Sequence, residues 1–103
     1  MILIFERSGG FTAIPLRLKV NTKDLDSQES KMLQSQVTAA DFFNLPERET
    51  TTGRGYDRFI FKLTVQNARQ KHTIEYGDSN IPKPLQPLID QLSAMARSKR
   101  TKE

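Results

Sequence analysis

The sequence predicts an α+β fold, in which a four-stranded, largely antiparallel sheet carries two helices packed on one face in the order ββαββα. Three segments alternate between polar and apolar residues, as half-buried strands do, and together with the apolar start of the chain they form two neighbouring pairs. Each pair is followed by a segment whose apolar residues recur at helical spacing. Because 103 residues suit a single core, both helices are expected to cover the same sheet.

The first pair of strands is predicted at residues 2–7 and 13–20. Pro15 cannot donate a hydrogen bond to a neighbouring strand, so the second strand is expected at a sheet edge or with the Pro15 position facing outward. The peptide between the strands is predicted to be a hairpin turn, because glycine tolerates the positive φ that tight turns need. That peptide is Arg7-Ser8-Gly9-Gly10-Phe11.

The first helix is predicted to begin after Asp26 and to end at Leu45-Pro46. Asp26, with Glu29 three residues later, resembles a capping box. The residue before a proline disfavours helical conformation, which sets the end of the helix. Its buried stripe is predicted to contain Met32, Leu33, Gln36, Val37, Ala40 and Phe43. Residues 47–55 have no apolar period and are predicted to form a mobile surface loop.

The second pair of strands and the last helix complete the predicted core. The inward faces of the two strands are predicted to carry Phe59, Phe61, Leu63 and Val65, and then His72, Ile74 and Tyr76. The last helix is predicted from Leu85, Leu88, Ile89, Leu92 and Met95. Pro87 is compatible with this helix only in its first turn, where a missing N–H group leaves no hydrogen bond unmade.

Most of the net positive charge lies at the C-terminus. Four cations and Glu103 give residues 97–103 a charge of +3, which leaves +1 of the total +4 for residues 1–96. We therefore expect a single domain over residues 1–96 and a basic, disordered tail over residues 97–103. A nucleic-acid-binding module that uses this tail is the alternative function. Phe59 and Phe61 disfavour it, because they lie on the predicted core face and not on an exposed base-stacking platform.

The residue inventory argues against catalysis. With one histidine and no cysteine, the chain lacks the ligands of a catalytic zinc site, and His72 is predicted to be a hydrogen-bonded structural residue. We expect a protein that is not an enzyme and needs no cofactor. The absence of cysteine favours the cytoplasm. No apolar run reaches the ~20 residues of a membrane span, and the apolar start is expected to be a strand and not a signal peptide.

Five further segments are informative as a set: residues 4–11, 39–46, 61–65, 71–74 and 81–89, the last reading Ile-Pro-Lys-Pro-Leu-Gln-Pro-Leu-Ile. Together they resemble the emfourin family, whose members inhibit protealysin and related thermolysin-like metalloproteases. Their order and spacing carry the resemblance, which extends over nearly the whole chain. It implies a cytoplasmic inhibitor, expected to be a monomer, whose partner is a protealysin-type metalloprotease of the same cell. If the resemblance misleads, an interaction domain for some other protein partner is the third possibility.

For such an inhibitor, the first candidate for contact with the protease is Asp24-Leu25-Asp26. Leu25 is the apolar residue of a polar loop and could anchor in the enzyme, while a neighbouring carboxylate approaches the protease zinc. Asp24 is favoured for this approach because Asp26 is needed as the helix cap. Alternatively, Leu25 covers the start of the helix or reaches the core. The second candidate is Arg7-Ser8-Gly9-Gly10-Phe11, which is equally compatible with a plain hairpin turn.

Overall fold

The structure, a computed structural model, describes residues 1–9, 15–49, 59–77 and 80–101. Within these residues the strands are β1 (Ile2–Gly9), β2 (Leu16–Asn21), β3 (Arg48–Glu49), β4 (Phe59–Gln66) and β5 (Lys71–Gly77). The α-helices are α1 (Ser27–Ala39) and α2 (Gln86–Thr101), and 3₁₀ turns occur at Thr22–Asp24, Phe42–Asn44 and Lys83–Leu85. The predicted fold class is confirmed.

The strands form one sheet in the order β2-β1-β4-β5-β3. Neighbours among β2, β1, β4 and β5 are antiparallel, as predicted, and β2 is an edge strand, one of the two placements expected from Pro15. Pro15 itself precedes the strand, which begins at Leu16, and residues 13 and 14 of the predicted strand lie outside the described part of the chain. The short β3 adds a fifth strand parallel to β5, so Arg48–Glu49 is not the surface loop that the sequence predicted. Arg48–Glu49 can pair without an alternating polar and apolar pattern, because the hydrogen bonds between strands are made by backbone N–H and C=O groups. Residues 50–58 lie outside the described part of the chain.

The core lies between one face of the sheet and the two helices. In the centre of that face Phe5 is opposite Leu18 on β2 and Leu63 on β4, and all three are buried. Both helices add side chains to the same buried cluster, among them Leu33 and Leu92, which are fully buried. The opposite face of the sheet is polar and partly exposed. It includes Ile4, Glu6, Arg17, Lys19 and Lys62.

Helix α1 begins where the sequence predicted but ends earlier. The Asp26 carboxylate accepts a hydrogen bond from the Glu29 backbone N–H at 2.8 Å, which caps the N-terminus. The helix ends at Ala39, and Asp41 takes the left-handed conformation with φ 52°. This turn places Phe42 fully in the core, so the predicted continuation to Leu45-Pro46 is wrong. Leu33, Val37 and Ala40 of the predicted stripe are buried, whereas Met32 is 39% exposed.

Helix α2 carries the predicted apolar stripe. Pro87 is its second residue and lies in the first turn, and Leu88, Ile89 and Leu92 are buried. The helix continues to Thr101, so residues 97–101 are helical where a disordered tail was expected; residues 102 and 103 lie outside the described part. The assignment of residues 1–96 to a single inhibitor domain stays a prediction.

His72 connects the end of the first helical region to the sheet. Its Nε2 lies 2.7 Å from the Leu45 carbonyl oxygen, and its ring meets the Phe42 ring edge-on at 5.5 Å between centroids. The Tyr76 hydroxyl donates to the Pro46 carbonyl at 2.7 Å. These contacts confirm that the chain's one histidine is a hydrogen-bonded structural residue, and they hold the segment that leads into β3.

Asp41 offers a test of how α1 is terminated. Asp41→Ala is expected to lower the free energy of unfolding by about 1 kcal/mol, because a Cβ disfavours left-handed backbone and alanine cannot stabilise it by a local hydrogen bond. The Asp41 carboxylate accepts such a bond from the Asn44 side-chain amide at 2.8 Å. Asp41→Gly should change the free energy by less than about 0.5 kcal/mol, because glycine adopts this conformation without steric cost. Urea denaturation measures both, and an equal loss in the two variants would show that the side-chain bond and not the backbone conformation decides.

Candidate functional site

The first candidate lies in the connection between β2 and α1, residues 21–26, hereafter the β2–α1 segment. Its beginning is tied to the start of β1. Thr22 is buried, its backbone N–H donates to the Met1 carbonyl at 2.9 Å, and its hydroxyl donates to the same oxygen at 3.3 Å. The segment therefore leaves the sheet in a fixed direction.

The rest of the segment is held by its own hydrogen bonds. The Asn21 side-chain oxygen accepts from the Lys23 N–H at 3.1 Å, and the Leu25 N–H donates to the Thr22 carbonyl at 3.3 Å. Asp26 then caps α1, as described above. Between these fixed points the side chains of Lys23 and Asp24 are exposed. The segment thus presents a carboxylate on a backbone that is fastened at both ends.

Leu25 is half-buried and packs against the edge of the core. Part of the Leu25 side chain therefore reaches the core, which was the alternative expectation for this residue. A hydrophobic staple in the strict sense is not formed with the fourth residue of α1, because that residue is Ser30. The rest of the Leu25 surface lines a cavity. Whether Leu25 also anchors in a partner stays a prediction.

This cavity, hereafter the β2 groove, has a volume of about 600 Å³ and lies between β2, the β2–α1 segment and α2. Its apolar lining includes Leu18, Val20, Leu25 and Met95. The carboxylate-bearing Asp24 lines it as well. The groove therefore joins the edge strand of the sheet to the candidate segment in one continuous surface.

The second candidate, residues 7–11, is only partly described, because Gly10 and Phe11 lie outside the described residues. Arg7, Ser8 and Gly9 belong to β1 and pair with β4, so the predicted turn does not begin at Arg7. The strand continues because β4 is long enough to pair with all three residues. The Arg7 guanidinium lies over the Phe59 ring, 4.6 Å from its centroid, and Gly9 has φ 101°.

The structure does not bring the two candidates together. Arg7 is opposite Leu16 at one end of the β1–β2 pair, whereas Ile2 is opposite Asn21 at the other. Five residues of strand separate these ends, a distance of roughly 17 Å. One compact contact cannot be centred on both.

Two features of the site were not assigned a role from the sequence. Asn21 and Thr22 fix the β2–α1 segment, and the signal for Asn21 was present, since asparagine commonly accepts a bond from the backbone N–H two residues later. No pattern in the sequence indicates the β2 groove. It depends on Met95 of α2 lying near β2, about 75 residues away in the chain.

No three side chains of the His, Asp or Glu type are grouped so that they could hold a metal ion within residues 1–9, 15–49, 59–77 and 80–101. In the same part of the chain, no helix is long and apolar enough to cross a membrane.

Comparison with known proteins gives one match. The model of the Emfourin family matches residues 5–93, which is 89 of the 103 residues and includes both α1 and the first part of α2. No curated protein and no solved structure matches the chain.

The cap of α1 can be tested separately from any binding role. Asp26→Ala is expected to lower the free energy of unfolding by about 1 kcal/mol, because the Glu29 N–H loses its acceptor. Asp26→Ser is the matched control, since a serine hydroxyl accepts the same bond and should retain most of the stability. Urea denaturation compares the two. Equal losses would mean that the carboxylate acts through its charge and not through the capping bond.

Proposed function

The chain belongs to the emfourin family, a family of protease inhibitors, and from this premise we propose that it inhibits a thermolysin-like zinc metalloprotease of the protealysin type. In this proposal the β2–α1 segment occludes the active-site cleft, and the inhibitor acts as a monomer in the cytoplasm. The observation that carries the proposal is a segment whose backbone is fixed at both ends while Asp24 stays exposed.

The fixed backbone matters because binding orders flexible groups at a cost in free energy. Thr22 is held to Met1, and Asp26 is held to Glu29, before any partner arrives. A segment that is already ordered loses little conformational entropy on binding. It also resists the distortion that cleavage of its own peptide bonds would require. Both properties suit an inhibitor better than a substrate.

The exposed carboxylate suits the chemistry of the proposed target. A catalytic zinc keeps one coordination position for the water that attacks the substrate, and a carboxylate oxygen is a common zinc ligand at about 2.0–2.2 Å. Asp24 is exposed at the end of the 3₁₀ turn, whereas an oxygen of Asp26 already accepts the capping bond. We therefore assign the approach to the protease zinc to Asp24. Displacing the attacking water stops hydrolysis.

Leu25 contributes apolar contact beside that carboxylate. Its half-buried side chain is held in place by the core, so its accessible surface is presented in one orientation. Apolar residues with a fixed orientation at the centre of an interface carry much of the binding energy. In this arrangement the inhibitor core supports the residue that the enzyme contacts.

No observation favours the alternative, nucleic-acid binding through the basic tail. Phe61 is buried against Phe5 with ring centroids 6.0 Å apart, and Phe59 is half-buried under Arg7. Neither ring forms an open platform for base stacking. Salt-dependent binding to single-stranded or duplex DNA, lost when residues 97–103 are deleted, would favour the alternative over inhibition.

Replacement of Asp24 tests the proposed contact with zinc. Asp24→Ala is expected to raise the inhibition constant for protealysin about 30-fold, which corresponds to a loss of ~2 kcal/mol for a central contact. Because the side chain is exposed, the free energy of unfolding should change by less than about 0.5 kcal/mol. Lys23→Ala, the exposed neighbour in the same turn, is the matched control and should inhibit nearly as the parent does. Hydrolysis of a peptide substrate measures all three.

Two results would contradict this assignment. If Asp24→Ala inhibits like the parent while Arg7→Ala or Gly9→Ala does not, the opposite end of β2 is the contact. If the folded parent leaves protealysin fully active even in large molar excess, the proposed function itself is wrong.

Replacement of Leu25 should affect both stability and inhibition. Leu25→Ala is expected to lower the free energy of unfolding by roughly 1–2 kcal/mol, because the buried part of the leucine side chain loses its apolar contacts. Inhibition should weaken more than tenfold at a temperature where both proteins remain folded. Met32→Ala is the control, since Met32 is an exposed apolar residue on α1 outside the groove. A Leu25→Ala variant that is less stable but inhibits normally would limit Leu25 to a structural role.

A further inference from the structure

The edge of β2 that faces away from β1 pairs with no strand in the described part of the chain. An edge strand exposes unpaired N–H and C=O groups that can pair with an extended segment of another protein. The charged and apolar side chains of this edge indicate which kind of segment fits.

The register shows which backbone groups lie at this edge. The Thr22 N–H donates to the Met1 carbonyl, so these two residues form a hydrogen-bonded pair. Such pairs alternate with non-hydrogen-bonded pairs along an antiparallel ladder. Ile2 opposite Asn21, Ile4 opposite Lys19 and Glu6 opposite Arg17 are therefore non-hydrogen-bonded pairs. The N–H and C=O groups of Arg17 and Lys19 point away from β1.

The β2 groove lies beside this edge on the core side. Leu18 and Val20 point into the core face of the sheet and line the groove together with Leu25 and Met95. In a strand added to β2, residues opposite Leu18 and Val20 would point to this same side. Apolar side chains at those two positions would fill the groove.

The other side of β2 is cationic. Its six residues include Arg17 and Lys19 and no anion. Arg17 already pairs with Glu6, with 2.7 Å between Arg17 Nε and Glu6 Oε2, whereas Lys19 is exposed. A carboxylate opposite Lys19 would form a favourable cross-strand pair.

We propose that an extended segment of the protease adds to the free edge of β2 as a further strand, with a carboxylate-bearing residue opposite Lys19 between apolar residues opposite Leu18 and Val20. The proposal rests on the proposed function and names how the partner is held. Asn21 and Asp24 also line the groove, so the added strand would lead directly to the β2–α1 segment. A typical inhibitor interface buries about 800 Å² on each partner, more than a six-residue segment supplies alone.

A second copy of the chain fits this edge less well. In an antiparallel β2–β2 pair centred on Leu18, each Arg17 lies opposite a Lys19 of the other copy. Shifting the register by two residues in either direction places Arg17 opposite Arg17 or Lys19 opposite Lys19. Like charges directly opposite each other destabilise a strand pair. The cations thus disfavour self-association and favour an acidic partner segment.

The test uses two variants of Lys19 and one control. Lys19→Pro removes the edge N–H without removing a bond to β1, and Lys19→Glu keeps that N–H but reverses the charge. Both should raise the inhibition constant for protealysin roughly tenfold or more, as expected for lost edge hydrogen bonds and for like-charge repulsion. Lys62→Glu, an exposed lysine on the same face of the central strand β4, should leave inhibition unchanged.

Amide hydrogen exchange gives a readout that does not depend on any variant. In the complex of the parent chain with protealysin, the amides of Arg17 and Lys19 should become protected. If the parent inhibits but these amides exchange as fast as in the free protein, the strand-addition proposal is wrong while the proposed function stands. Normal inhibition by both Lys19 variants would likewise overturn it. A parent chain that does not inhibit would overturn both proposals.

Discussion

The register between β1 and β2 is the constraint on which the rest of the structure depends, and Thr22 and Met1 fix one end of it. With Thr22 bonded to the Met1 carbonyl, Leu3 is opposite Val20 and Phe5 is opposite Leu18, so the apolar residues of both strands face the helices. A shift of one residue would turn every apolar side chain of β2 to the polar face. The same register points the backbone groups of Arg17 and Lys19 to the open edge.

This arrangement separates the residues that stabilise the protein from those proposed to contact the protease. The buried face of β2 belongs to the core, while its edge, its charged face and the segment that follows it are accessible. Thr22 and Asp26 hold the segment, and Asp24 is presented between them. A small protein without disulfides can therefore offer a rigid surface, because the sheet and the start of α1 fix that surface from both ends.

Much of the fold could be predicted from the sequence because the long strands and the helices carry periodic patterns. Leu63 and Val65 alternate with polar neighbours, and Leu88, Ile89 and Leu92 of the α2 stripe recur at helical spacing; all five are buried as predicted. The errors occur where backbone pairing or a single conformation decides. Arg48–Glu49 pairs with β5 without any alternating pattern, and the left-handed Asp41, five residues before the proline that the prediction relied on, ends α1 at Ala39. Neither this strand pairing nor the left-handed conformation of Asp41 is indicated by the pattern of polar and apolar residues.

The sequence by itself determined the four long strands, the two helices, the cap at Asp26 and the family resemblance, because each depends on residues close together in the chain or on their order. Only the tertiary structure decided that Leu25 is half-buried and that a groove lies beside β2. Those features require Met95 of α2 to lie near Leu18 and Val20, and no local pattern records the distance between elements so far apart in sequence. The register between β1 and β2 also places the two candidate sites at opposite ends of this strand pair.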